Sequence, residues 1–187
     1  MMKKLCLAII AIGMVGAVNA QKVKLGAKAG LNLTTWKGNV SGEAIESKAG
    51  LVVGATAELS LSDRFAFQPE LLFSQNGTNI SLEDEKIKAK LDYISIPVMA
   101  KYYLLDNLSV EVGPQVSFLV KESYKVDGTD IEVGGFKEVD FGANFGLGYH
   151  FDNGISLQGR YMMGISDIVE ESDVQNKGFQ FSLGYQF

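Results

Sequence analysis

The sequence has little of the chemistry from which most enzyme and metal sites are built. Its 187 residues include one cysteine, Cys6, and one histidine, His150. Disulfide frameworks and thiolate metal sites are therefore excluded, because both need several cysteines. Basic residues number 17 against 22 acidic ones, which argues against a protein that binds nucleic acid. No cofactor or metal is expected, since no acidic stretch has the spacing of a defined calcium loop.

Long apolar runs are equally scarce. The longest, Leu5 to Val18, follows two lysines, is too short to cross a bilayer as a helix, and is followed by small residues suited to cleavage after Ala20. We therefore expect residues 1–20 to be a secretory signal peptide and residues 21–187 to be one barrel domain. The alternative for the first segment is a membrane-anchoring helix. No later segment approaches the roughly 20 apolar residues of a transmembrane helix.

The sequence is instead rich in glycine and in stretches where apolar residues alternate with polar or small ones. The chain is 47% hydrophobic and contains 21 glycines. Eight stretches alternate apolar residues with polar or small ones, a period typical of strands with one apolar face. These predicted strands are Lys22 to Leu33, Ala49 to Leu59, Phe65 to Phe73, Ile94 to Leu104, Leu108 to Val120, Val139 to Phe151, Ile155 to Ile165 and Gly178 to Phe187. Their length suits tilted strands that cross a membrane.

The connections between these strands alternate in length. Four are long and polar: Trp36 to Lys48, Asn76 to Lys90, Glu122 to Glu138 and Ser166 to Lys177. Three are short: Leu61 to Arg64, Asp106-Asn107 and Asp152-Asn153-Gly154. Outer-membrane barrels show this asymmetry, with long external loops and short periplasmic turns. The pattern predicts an up-and-down meander with both termini on the side of the short turns.

The distribution of charge indicates which face of the barrel is outside. The apolar face of the eight stretches carries no charged residue, whereas the other face carries charges and most of the strand glycines. A soluble barrel would turn the apolar face inward, but the interior of an eight-stranded barrel is only just wide enough for its own side chains. The sequence therefore predicts an all-β protein, an eight-stranded antiparallel up-and-down transmembrane β-barrel.

Aromatic residues on the apolar face cluster at one end of the strands, next to the short turns or the C-terminus. We interpret them as a girdle at the periplasmic membrane interface, where aromatic side chains are enriched. Its members are Phe65, Phe67, Tyr102, Tyr149, Phe151, Tyr185 and Phe187.

Five charged residues on the polar face are predicted to point into the lumen and to pair with one another: Glu58, Glu70, Lys101, Glu111 and Arg160. We expect Lys101 to face Glu111 across a hairpin, Arg160 to face Gly146, and Glu70 to face Gly54. Two interpretations are open. The network is either a salt-bridged plug that holds the barrel shut or a gate in an ion path, and pairing of buried charges favours the plug.

The remaining chemistry is sparse. His150, with Ser156 nearby, lies beside a short turn, whereas a membrane hydrolase would place its histidine at the outer rim, so no enzyme is expected. The longest loop, Glu122 to Glu138, carries apolar residues beside acids, and Tyr124 and Phe136 are candidate contacts for a partner. The alternative is that this stretch is a strand extending the barrel above the membrane. The three prolines, all inside predicted strands, indicate bulges or gaps in the hydrogen-bond ladder.

Several motifs carry a resemblance to a known family. The closing strand with its terminal Phe187 resembles the last strand of bacterial outer-membrane barrels in general. Four further motifs are Gly30 to Leu33, Asp92 to Tyr102, Gly113-Pro114, and Arg160-Tyr161 with Gly164 to Ile168. Together they resemble the eight-stranded outer-membrane barrels of the Bacteroidota, the PorT-like family. Ser95 stands where that family usually carries an acid, so any ion pair that depends on the acid is in question here.

The resemblance implies a location in the outer membrane of a Gram-negative bacterium, with periplasmic termini and lipid around the barrel. It also implies that the barrel assembly machinery reads the C-terminal strand. From the four long loops and the narrow lumen of mixed charge we expect a non-enzymatic role: a scaffold, an adhesin-like surface element or a secretion accessory that binds an extracellular or secretion-system protein through its loops. A narrow channel is the first alternative and a membrane-embedded hydrolase the second.

Overall fold

The structure, a computed structural model, describes residues 23–37, 44–81, 86–126, 129–131, 136–168 and 174–187. The predicted signal peptide lies outside these residues. Nine strands are present in the described ranges: β1 (Val23–Lys37), β2 (Ala44–Ser60), β3 (Phe65–Ser81), β4 (Lys86–Leu105), β5 (Leu108–Val126), β6 (Thr129–Ile131), β7 (Val139–His150), β8 (Ile155–Gly164) and β9 (Gln175–Gln186). The described residues contain no helix that is long and apolar enough to cross a membrane.

Eight of these strands close into a barrel. They pair antiparallel in the order β4-β3-β2-β1-β9-β8-β7-β5, and pairing between β4 and β5 completes the ring. The short strand β6 pairs with the last residues of β5, Tyr124 to Val126. The predicted closed eight-stranded antiparallel barrel is therefore confirmed. Closure satisfies the backbone groups that an open sheet would leave exposed at its edges.

The two faces of the wall have opposite character. In β9, for example, Phe181 and Leu183 on the outer face are exposed, whereas Gln180 and Ser182 on the inner face are buried. The same alternation holds in β8, where Leu157 points outward and Arg160 inward. The molecule thus has an apolar exterior and a polar interior, the arrangement that the distribution of charge predicts.

The wall is taller on one side than the predicted strands suggest. Strands β3, β4 and β5 continue through much of what the sequence predicts as loops, and β4 pairs with β5 as far as Ile87 opposite Val126. On the other side, β7 begins at Val139 and β8 ends at Gly164. The sequence does not predict this extension, because neither of its faces is uniformly apolar and no clean alternation results. Backbone pairing between strands does not require an apolar face.

Pro69 and Pro97 each precede a gap in the ladder that leaves the register unchanged, whereas Pro114 faces Ala143 in an unbroken run of pairs between β5 and β7. Pairing between β3 and β4 breaks off after Pro69 opposite Val98 and resumes in the same register at Leu72 opposite Ser95. A similar gap follows Pro97 in the pairing of β4 with β5. Gaps are expected because proline has no N–H to donate. The bulges lie elsewhere, one of them between Asp92 and Tyr93.

Two of the three predicted cross-strand neighbours are confirmed. Lys101 faces Glu111, and Arg160 faces Gly146. The third is wrong, because Glu70 faces Thr56 while Gly54 faces Leu72. The amides of Leu61 and Ser62 both donate to the carbonyl of Phe65, and this turn centres the hairpin one residue later than expected.

Candidate functional site

A single guanidinium group links three strands inside the lumen. Arg160 on β8 donates from Nη1 and Nη2 to the two carboxylate oxygens of Glu70, at 2.9 and 2.7 Å. Its Nε and Nη2 also donate to Oε2 of Glu111, at 3.0 and 2.8 Å. Arginine suits this role because its planar fork presents several donors in fixed directions. The group therefore ties β3, β5 and β8 together inside the barrel.

Two lysines extend the network on either side. Lys101 donates to Glu58 at 2.5 Å and to Oε1 of Gln68 at 3.0 Å, and its Nζ lies 3.8 Å from Glu111. Lys28 donates to Glu70 at 3.1 Å and to Oε1 of Gln158 at 2.9 Å.

The charges of this layer balance. Three carboxylates meet three cations, and all six side chains are buried: Glu58, Glu70, Glu111, Lys28, Lys101 and Arg160. Charge balance matters because an unpaired buried charge is strongly destabilising. The structure thus brings together all five residues of the predicted network and adds Lys28. Sequence reasoning left Lys28 out, although it lies on the polar face and faces a glycine on each side, Gly54 and Gly184.

A glycine between two of these residues makes their contact possible. Gly146 on β7 faces Glu111 on one side and Arg160 on the other. A Cβ at this position would lie 2.7 Å from Cγ of Arg160, closer than carbon atoms approach without contact strain. The missing side chain therefore leaves the space through which Arg160 crosses β7 to reach Glu111.

The half of the lumen nearer the loops is polar but mostly uncharged. Nδ2 of Asn32 donates to Ser74 at 2.9 Å, and Gln180 donates to Oδ1 of Asn32 at 3.0 Å. One acid lies in this layer: Asp140 accepts hydrogen bonds from Ser166 and from Asn176, both at 2.9 Å. Amide and hydroxyl groups thus make most of the hydrogen bonds above the charged layer, although Oδ1 of Asn176 has no partner among the described residues.

An apolar cluster lies beyond this layer, at the loop end. Its buried members are Leu91, Tyr93 and Ile168, and the partly buried side chains packed against them are Trp36, Leu119, Phe136 and Val174. Tyr124 stacks on Phe136 with ring centroids 5.5 Å apart. We call these eight residues the apolar cap.

The position of the apolar cap bears on the predicted partner contacts, Tyr124 and Phe136. Tyr124 is only 9% exposed, and Phe136, which stacks on it, is half-buried. The expectation that Tyr124 is exposed to a partner is therefore wrong, whereas binding of a partner by this loop stays a prediction. Tyr124 lies in β5, so the alternative, a strand that extends the barrel, describes it correctly. Sequence alone did not reveal that the far end of β5 faces an interior.

The other end of the lumen opens into a cavity of about 590 Å³, lined among others by Lys24, Tyr103 and His150. Tyr103 donates to both oxygens of Glu58 at 3.0 Å, so the charged layer forms the floor of this cavity. His150 faces Ser156 across β7 and β8, but its Nε2 lies 3.2 Å from the hydroxyl of Ser109. Ser109 is fully buried, so it could not meet a substrate. Within the described ranges, no group of three metal-ligating side chains occurs.

The seven predicted girdle residues lie around the short-turn end of the wall. Three neighbouring pairs contact one another edge to face: Phe65 with Phe67, Tyr149 with Phe151, and Tyr185 with Phe187. All but the half-buried Phe65 are exposed. Their role at a membrane interface stays a prediction.

Comparison with known proteins agrees with this architecture. The profile of a family described as the outer membrane protein beta-barrel domain matches residues 19–170. No curated protein sequence matches the chain closely.

Solved structures share the fold at low sequence identity. Ail of Yersinia pestis, solved in complex with the heparin analogue sucrose octasulfate, has a TM-score of 0.55 and 12% identity, over 88% of this chain and 99% of Ail. Neisserial surface protein A has a TM-score of 0.53 and 15% identity, over 87% and 97% of the two chains. OprG of Pseudomonas aeruginosa has a TM-score of 0.52 and 12% identity, over 89% and 97%.

Replacing Arg160 with Met is expected to lower the free energy of unfolding by about 3–5 kcal/mol, because Glu70 and Glu111 then lose their shared cation in a buried site. Urea unfolding in detergent micelles measures this change. Arg64→Met is the matched control: it removes an exposed arginine next to a short turn and should alter stability by less than about 0.5 kcal/mol. Equal effects of the two substitutions would contradict the role assigned to Arg160.

Replacing Gly146 with Ala is expected to lower the free energy of unfolding by about 1–3 kcal/mol, because the added methyl group overpacks the space used by Arg160. Gly159→Ala on the adjacent strand is the control. A Cβ there meets only ring carbons of Phe181 at 3.8 Å, so the substitution should be neutral in the same measurement. The explanation fails if both alanines are tolerated equally.

Proposed function

We propose that this chain, which belongs to the outer membrane protein beta-barrel domain family, is a non-conducting and non-enzymatic membrane scaffold that acts through its loop end. The observation that carries the proposal is the filled lumen. The charge-balanced layer occupies its middle, and the apolar cap lies across its loop end. A scaffold needs no open path through the barrel, whereas a channel does.

The contents of the lumen weigh against the rival channel. Every charge of the middle layer is engaged by a charge of opposite sign, so the layer offers no uncompensated charge to attract ions. Ion pores instead line their path with groups that replace the hydration shell of the ion. An eight-stranded barrel also leaves little width beyond its own side chains.

The contacts of His150 weigh against the rival hydrolase. A nucleophile must be reachable by substrate and hydrogen-bonded to a base. The hydroxyl that contacts the histidine belongs to Ser109, which is fully buried. The site also lies beside the short turns, at the end opposite the long loops.

The difference between the two ends of the barrel supports a proposal for its orientation. We propose that the short turns and both ends of the barrel chain, at the start of β1 and the end of β9, face the periplasm, since long loops face outward in bacterial barrels. The taller wall of β3, β4 and β5 then projects from the cell surface. Its exposed positions, such as Lys121 and Glu122, would contact an extracellular or secretion-system protein. Kinship with the PorT-like barrels of the Bacteroidota, proposed from the sequence motifs, favours the secretion-accessory role.

Planar bilayer recordings test whether the charged layer closes the lumen. The native protein should show no steady channel, while the charge-balanced double variant Glu111→Ala/Arg160→Ala should raise conductance because it removes two large side chains from the middle of the tube. Lys121→Ala/Glu122→Ala is the control, since it removes an exposed cation and acid at the loop end. Steady channels of nanosiemens size in the native protein would exclude the scaffold and favour the channel.

Photo-crosslinking in intact cells tests the use of the loop end. A crosslinker at position 122 should capture one discrete protein, whereas a crosslinker at Asp106, in a short turn at the opposite end, should not capture it. The exposed position replaces Tyr124 and Phe136, which are packed in the cap. The same products from both positions, or none from position 122, would count against a partner at the tall wall.

A further inference from the structure

One glycine of the barrel has no evident reason to be glycine. At Gly159 a Cβ would meet nothing closer than ring carbons of Phe181, at 3.8 Å, an ordinary contact. At every other glycine of the described ranges, a Cβ would come within 3.0 Å of another atom. Gly159 also has no positive φ. Neither packing nor backbone conformation within the protein therefore requires the absence of a side chain here.

The position of Gly159 makes this absence unusual. It lies on the outer face of β8, between Phe181 of β9 and Leu147 of β7. Both neighbours are large and exposed, as are Leu157 and Tyr161 on either side along the strand. The missing side chain therefore leaves a depression in a wall that is otherwise bulky.

A groove of about 660 Å³ surrounds this depression. Its outward lining is almost entirely carbon and includes Ala29, Leu31, Leu147, Leu157, Phe181 and Leu183. The volume lies within the range of about 300–1,000 Å³ of small-molecule sites. The groove is thus large enough for a flexible apolar chain and offers it no polar anchor along its length.

One end of the groove reaches the aromatic girdle. Tyr149 lines it there, and its hydroxyl accepts a hydrogen bond from Nδ2 of Asn107 at 2.6 Å. Aromatic girdles mark the level of lipid headgroups. The groove therefore runs from the headgroup level at the short turns into the apolar band of the wall.

We propose that this groove binds one acyl chain of a glycerophospholipid from the leaflet on the side of the short turns. Family membership places the outer wall in lipid, and the groove continues that contact. A second copy of the chain fits less well, because a two-fold contact centred on Gly159 would set depression against depression and leave a void.

Native mass spectrometry of the folded protein, released from detergent that contains phosphatidylethanolamine, measures retained lipid. The native protein should keep one phospholipid. Gly159→Leu and Ala29→Leu each fill the groove from a different strand and should reduce retention about tenfold, since excluding about two methylene groups accounts for that factor. Ala55→Leu is the control, because it adds bulk on the exposed outer face of β2, outside the groove.

Equal retention by all four proteins would overturn the proposal. So would a native dimer that becomes monomeric when the groove is filled, since the occupant would then be a second copy. If Gly159→Leu fails to fold by circular dichroism, Ala29→Leu decides the question, because it leaves β8 unchanged.

Discussion

The pairing of charges inside a narrow tube is the constraint on which this structure depends. Arg160, Glu70 and Glu111 come from three strands and meet in a space from which water is largely excluded. A buried charge without a partner is costly, so each of these strands must keep the register that delivers its charge to the same level. The ion pairs thus hold the strand alignment, and the closed ladder holds the ion pairs.

Glycine makes this arrangement possible in so small a barrel. Gly146 faces both Glu111 and Arg160, and Gly54 and Gly184 face Lys28 from either side. Long charged side chains therefore lie next to glycines in the lumen, so that the interior is filled without overpacking. Gly159 differs from these glycines, since it faces outward and no contact within the protein requires glycine at this position.

The lumen is layered along its axis, and the layers account for the functional assignment. An open cavity at the short turns ends at Tyr103 and Glu58, followed by the charged layer, the amide and hydroxyl layer, and the apolar cap. Within the charged layer each charge is paired, whereas the upper layers retain a few polar atoms without a partner among the described residues, such as the hydroxyl of Tyr93 and Oγ of Ser182. What remains available to partners is the outside of the molecule: the lipid-facing wall and the tall side of the loop end.

The two-residue alternation of the sequence determined the fold class, the number of strands in the barrel wall and the inward face, because a strand displays its pattern locally. It also placed Glu58, Glu70, Lys101, Glu111 and Arg160 in the lumen. The tertiary structure decided what depends on neighbouring strands. It centred the hairpin between β2 and β3 on Asp63, which moved Glu70 opposite Thr56, and it added Lys28 to the network. It also turned Tyr124 into an interior residue, since whether an apolar side chain at a loop end is exposed depends on what packs beside it.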